Sequence, residues 1–322
     1  MKSVPLPLAT APSQHIRTAS PAIGAERALV LWHLTSLDAP TVAAVWSLAF
    51  AWCGNLHVRP LTLLLLLLAT WCIYVLDRLL DAHSGLQAHL RNGLRERHIF
   101  HWRHRVILLP LAAGAACAAA AVVFTLLPSI VWERGSVMAI ASLSYLSGVH
   151  FGQKPAGCVA GIRRSFPTKE FFVGLLFTAG CALPSWPRLH GSGAAQSLLW
   201  PFWIPAACFA ALAWLNCVCI ARWEAADASR ELRSEQNPRT GRRAGIAVPA
   251  HLLAAILLAI IGMALAGVAV AAHPRAAALL VAASTSAILL ALLDRVRGRI
   301  APSTLRAAAD LALLTPVVLL LR

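Results

Sequence analysis

Acidic side chains are scarce in this chain: 13 Asp and Glu stand among 322 residues, against 28 Lys and Arg. Charge of either sign is also thin. Charged residues reach only 13%, while hydrophobic ones make up 59% and the mean hydropathy is +0.69. A soluble domain averages about 25% charged and 45–50% apolar residues, so that class is excluded and an integral membrane protein is expected. The eight cysteines (53, 72, 117, 158, 181, 208, 217, 219) lack the spacing of a zinc site or a disulfide framework. They lie almost entirely inside apolar segments and read as small core residues. Met1 to Arg27 has no apolar h-region, so it is not a secretory signal. Residues 1–37 are expected to form a flexible cytoplasmic tail ahead of one transmembrane domain, 38–322.

Long hydrophobic runs are plentiful. Spans need about 20 apolar residues, and nine segments qualify: roughly 38–54, 60–80, 106–127, 135–151, 169–185, 199–221, 246–272, 276–293 and 304–321. The expected fold is all-α and polytopic, a bundle of about nine helices around a cavity that opens to the cytoplasm. Nine spans divide the basic residues 23 to 5 between the two sides of the membrane, the 23 falling with the N-terminus. The positive-inside rule then places the N-terminus in the cytoplasm and the C-terminus outside, in a plasma membrane of bacterial type. The net charge of +15 is largely topological, and nucleic acid is not implied.

The chemistry concentrates where two spans end. Trp71-Cys-Ile-Tyr74-Val-Leu-Asp77-Arg78-Leu-Leu-Asp81 closes the second. Residues at i, i+3 and i+4 share a helix face, so Tyr74, Asp77 and Asp81 form one stripe with Arg78 beside it. Two carboxylates a turn apart suit magnesium, which prefers one or two carboxylates plus substrate phosphate oxygens; solvated or paired acids at a helix end are the plainer alternative. The sixth span ends Trp214-Leu-Asn216-Cys-Val-Cys-Ile-Ala-Arg222-Trp223-Glu224-Ala-Ala-Asp227. Four of the 13 acids thus occupy two equivalent places, each followed by a basic loop. Ionisable groups at a membrane edge are functional candidates by default.

These residues resemble the UbiA superfamily of intramembrane prenyltransferases, nine-helix bundles whose two aspartate-rich motifs follow helices two and six. Asp77-Arg78-Leu-Leu-Asp81 matches the last two aspartates of the family's first motif, Asn-x-x-x-Asp-x-x-x-Asp, and Glu224 and Asp227 stand in the place of the second. Phe166-Pro-Thr-Lys169-Glu-Phe-Phe-Val-Gly174 resembles the segment entering helix five, whose lysine approaches the diphosphate. There are departures. Ile73 replaces the first motif's asparagine, the second motif is Glu-x-x-Asp, and the loop after span two lacks an Arg-Pro step. Fewer acids imply weaker metal binding.

The resemblance implies magnesium held by Asp77, Asp81, Glu224 and Asp227, which also makes these four the catalytic set. It implies substrate contacts from Tyr74, Arg78, Arg164, Lys169, Asn216 and Arg222. The implied reaction moves a prenyl group from an isoprenoid diphosphate to a lipid-soluble or aromatic acceptor, with Trp71, Tyr74, Trp214 and Trp223 as cation–π walls. The alternative is a non-catalytic protein that binds a polyprenyl lipid or supports a neighbouring complex.

Three further features carry expectations. His98, His101 and His104 are interleaved with arginines and read as a basic juxtamembrane helix in preference to a metal site. Asp310 is expected to pair with Arg306 at i, i+4 or else to contact the cavity. Asp294 and its neighbouring arginines read as a helix-end anchor.

Overall fold

The computed structural model describes residues 21–87, 95–127, 129–150, 168–185, 195–236 and 249–321. Arg164 lies outside them. All regular structure among the described residues is helical: α1 (Pro21–Leu34), α2 (Asp38–Cys53), α3 (Pro60–Gln87), α4 (Glu96–Arg103), α5 (Arg105–Leu126), α6 (Ser129–His150), α7 (Thr168–Ala182), α8 (Ala195–Gln236), α9 (Ala250–Ala269), α10 (Pro274–Val296), α11 (Pro302–Ala312) and α12 (Val317–Leu320).

Five of these helices, α3, α5, α8, α9 and α10, are long and apolar enough to cross a membrane. The bent pair α1 and α2, which meet at 86°, makes six if counted as one span. The expectation of nine is met only in this coarser form, and the reasons are local. Helix α7 has only 15 residues. Helix α6 is long enough, but Glu133, Arg134 and several serines dilute its apolar content. The ninth segment breaks after Ala312 into a turn that leads to Pro316, whose missing N–H cannot continue a helix. Trp46 Nε1 donates to the Leu313 carbonyl at 2.8 Å and so takes up one of the groups this break releases.

The outer faces match a lipid environment. Val106, Phe124 and Val268 are each about three-quarters exposed, far more apolar surface than a soluble bundle leaves open. Inside, Trp46 stacks on Phe209 with ring centroids 3.9 Å apart, and Phe50 and Phe202 complete an aromatic centre between α2 and α8. Helix α7 lies tightly against α8. A Cβ on Gly174 would stand 2.7 Å from the Trp214 backbone nitrogen, so only glycine permits this approach. At 42 residues, α8 is about 63 Å long by its rise and must outrun a hydrocarbon core of about 30 Å.

Candidate functional site

The bend between α1 and α2 organises the site. The last carbonyls of α1 need donors, and the turn supplies some: the Thr35, Ser36 and Leu37 N–H groups donate to the Leu31, His33 and Trp32 carbonyls. Two side chains of α3 supply more: Arg78 Nη1 donates to the His33 carbonyl at 2.7 Å and Trp71 Nε1 to that of Thr35 at 3.1 Å. Ser36 turns the chain with φ 60°, a left-handed conformation that a non-glycine residue seldom adopts. Asp38 then opens α2, where the helix dipole favours a carboxylate. Its Oδ1 accepts the Ala39 N–H at 2.9 Å and its Oδ2 accepts Arg78 Nη2 at 3.2 Å.

The same Oδ2 lies 2.6 Å from His33 Nδ1. Asp310, arriving on α11, places its Oδ2 3.4 Å from that nitrogen and its Oδ1 2.9 Å from Asn216 Nδ2, which donates to it. Because a carboxylate bonded to donors acts as an acceptor, Nδ1 carries the ring proton here. His33 Nε2 and Asn216 Oδ1 remain buried with no hydrogen-bond partner. The ligand atoms of His33, Asp38 and Asp310 are close enough to one another for a metal ion. Asp38 Oδ2, however, already takes the His33 Nδ1 proton and Arg78, so a metal ion there would have to displace both.

His33, Asp38, Asp310 and Asn216 form part of the wall of a cavity of about 1040 Å³. One face of α3 supplies its length: Thr62, Leu66, Ala69, Ile73, Tyr74, Asp77 and Asp81 all line it. From Thr62 to Asp81 this face extends about 28 Å. Most of the lining is apolar, with Phe177 set edge-on against Tyr74 at 6.4 Å. Asp77 and Asp81 close this face, and Lys169, Glu170, Arg95, Arg97 and Glu224 also line the cavity, while Arg59, just before α3, and Arg134 put further positive charge on its wall.

Asp77, Asp81 and Glu224 come to one cavity, and Asp227 does not; it pairs instead with Arg230 at 3.6 Å. Glu224 is not open to a metal as expected. Arg95 Nη1 lies 2.7 Å from it, Arg306 Nε 3.0 Å and Arg97 Nη1 3.2 Å. Arg95 and Arg97 thereby tie the start of α4 to α8, and Glu224 ties α8 to α11. Arg222 faces outward on α8 and is absent from the wall. Arg78 and Asn216 line the cavity but serve Asp38 and Asp310.

Of the four aromatic residues expected to wall it, only Tyr74 does so. Trp71 turns to the α1 bend, and Trp223 is buried with its Nε1 donating to Asp294 Oδ1 at 2.7 Å. Asp294, expected as a helix-end anchor, is a buried acceptor there, 3.1 Å from His251 Nε2 and 3.2 Å from Arg297 Nη1. Phe124, Trp132, Tyr145 and Phe177 supply the rest of the aromatic lining.

The α4 histidines are structural neighbours of the site. His101 Nδ1 donates to the Arg97 carbonyl at 2.8 Å, so Nε2 accepts from Ser36 Oγ at 3.0 Å. Burial pushes the His101 ring down to about 4, and Arg78 adds to the effect. Burial and then Arg97, Arg95 and Arg78 hold His98 at about 3. Both rings are neutral at physiological pH. His33 and Asp38 went unnoticed in the sequence, although a His-x-x-x-x-Asp pair entering the first apolar run of an acid-poor chain was the available signal.

Compared with protein-family models, with curated proteins and with solved structures, the chain matches none.

Proposed function

We propose that this chain is a magnesium-dependent intramembrane prenyltransferase of UbiA type, moving a prenyl group from an isoprenoid diphosphate to a hydrophobic acceptor. The observation that carries this reading is the form of the cavity: an apolar wall along α3, long enough for a polyprenyl chain, ending in two carboxylates beside Lys169, Arg95 and Arg97. Asp77 and Asp81 are the pair suited to magnesium, being hard oxygen donors one turn apart on the cavity face. Bound there, the metal would supply Lewis-acid neutralisation of the diphosphate. Lys169 at the cavity edge binds the same anion by direct charge, and Arg95 and Arg97 reinforce it. Tyr74 and Phe177 border the apolar region next to these groups and shield an allylic cation from water. The arginine-rich end is read as cytoplasmic, in keeping with the distribution of basic residues.

A second reading has one observation in its favour. Glu224 stands among three arginines and Asp227 lies off the wall, so guanidinium charge occupies the place where the second acidic motif would hold a metal. A binder of neutral polyprenyl lipids would need none. The deciding experiment incubates the purified protein with radiolabelled prenyl diphosphates, magnesium and a membrane-lipid extract. Labelled, magnesium-dependent product supports transfer; retention of prenyl alcohol and diphosphate with equal affinity, with or without magnesium, supports the binder.

A further inference from the structure

The His33 cluster has a role that diphosphate binding does not use. Its geometry is that of an imidazole braced for proton exchange: Nδ1 is fixed at 2.6 Å by Asp38, and Asp38 is itself fixed by Arg78 and the Ala39 N–H. The far nitrogen, Nε2, is left buried and unpartnered in a residue of the cavity wall. An orphaned polar atom in such a place carries a desolvation cost that no hydrogen bond offsets. A ligand oxygen at Nε2 removes that cost, as does the proton that the oxygen brings.

The groups facing the ring favour proton uptake. Asp38 on α2 and Asp310 on α11 both approach Nδ1, and among the described residues Arg78 on α3, paired with Asp38, is the one guanidinium that meets either carboxylate. Tyr74 on α3 stands within electrostatic reach of both acids, and His101 on α4 connects through Ser36 as a neutral ring. Two carboxylates against one guanidinium leave one negative charge over, which an imidazolium at His33 offsets. A braced imidazole with a carboxylate behind it is the usual arrangement of a general base.

We infer that His33 Nε2 receives the proton of the acceptor, and that the acceptor is therefore a hydroxyl-bearing molecule, a phenol or an alcohol, held with its oxygen against His33. This rests on the prenyl-transfer reading for the donor side only. The acceptor oxygen forms a bond to C1 of the prenyl group with a lone pair. The bond from C1 to the diphosphate oxygen breaks with its electrons leaving on the diphosphate, and the hydroxyl proton ends on Nε2. Asp38 and Asp310 stabilise the imidazolium so formed; they are positioning residues. Asn216, bonded to Asp310 and with its own Oδ1 unpartnered, extends the same polar wall.

The test uses a long-chain alkyl nitrophenol, whose phenolate alone absorbs in the visible, added to the purified full-length protein at a pH where the free probe is neutral. Wild type is expected to show a bound phenolate band, and His33→Gln to lose it. Magnesium-dependent binding of prenyl diphosphate should persist in His33→Gln, while transfer falls on the order of a hundredfold. Asp38→Asn is the second variant, and it should weaken the band while keeping the ring in place. Absence of the band in wild type, or an equal band in His33→Gln, overturns the inference. A His33-dependent band in a protein that binds no prenyl diphosphate upholds the proton acceptor and removes the transfer reading.

Discussion

Arg306 and Asp310, one turn apart on α11, turn to different partners: Arg306 Nε reaches Glu224 at 3.0 Å, and Asp310 reaches Asn216 and His33. The i, i+4 pair that their spacing favours gives way to two tertiary contacts, one at each side of the cavity wall. A short helix thus serves both the arginine cluster and the proton-bonded cluster.

Removal of the Glu224 charge should loosen α4. In Glu224→Gln, Arg95, Arg97 and Arg306 lose their common counter-ion. The expected loss is about 2 kcal/mol, below the 3–5 kcal/mol typical of a fully buried pair because Arg95 and Arg97 remain partly exposed. Asp227→Asn, which removes a partly exposed pair with Arg230 and a weaker attraction to Arg95 and Arg306, should cost less, about 0.5 kcal/mol. Thermal unfolding in detergent compares them, and equal losses would contradict the assignment.

Acid should weaken the tie between α4 and the bend. The His98 and His101 rings are depressed to about 3 and about 4, below the ordinary 6.5 of an unfolded histidine. The unfolded chain therefore binds protons that the folded one refuses. Stability is fully present above 6.5 and declines as pH falls from there to about 4 for His101 and about 3 for His98, by up to about 1.4 kcal/mol per pH unit for each ring. Unfolding temperatures between pH 7.5 and 5 should fall in wild type and fall less in His101→Asn. A flat wild-type profile would show that these rings are not buried and neutral.

Space at the α7–α8 crossing should be tightly limited. Gly174→Ala sets a methyl against the Trp214 backbone, and the expected cost is about 1–3 kcal/mol through separation of the helices. Measured yield and unfolding temperature should both drop. Gly180→Ala, whose added methyl meets nothing within 4 Å, serves as the neutral comparison.

Metal and lysine should be separable in substrate binding. Asp81→Asn removes one anionic ligand with little change of shape, so prenyl diphosphate binding should weaken and lose its response to magnesium, with transfer down roughly a hundredfold. Lys169→Met should weaken binding while preserving the magnesium response, since an ammonium acts on the anion directly. An unchanged magnesium response in Asp81→Asn would remove the carboxylate from metal binding.

Topology offers a further check. Single cysteines introduced at Arg91 and Arg239, in the basic loops, should label only after the membrane is opened. Labelling from outside intact cells would reverse the orientation.

Helical periodicity and hydropathy made the long spans legible, because α3, α8 and α10 are apolar along most of their length and end in charge. They also placed Tyr74, Asp77 and Asp81 on one face, which is the face that lines the cavity. What the sequence could not convey is who pairs with whom across the bundle. Glu224 looks like a metal ligand until Arg95 and Arg306, remote in the chain, come to rest on it. Trp223 looks like a cavity wall until Asp294 draws its indole inward. The His33–Asp38 contact depends on a bend at Ser36, and a left-handed serine has no sequence mark of its own.

The order of synthesis gives the α11 contacts a temporal meaning. His33 and Asp38 leave the ribosome well before Arg306 and Asp310, which lie about 270 residues further along. Until α11 arrives, Glu224 lacks its deepest guanidinium and the His33 cluster lacks its second acid. The candidate spans that precede α11 are thus made while the charged centre is unfinished, and truncation before α11 should leave them inserted yet expose the chain to quality-control proteolysis.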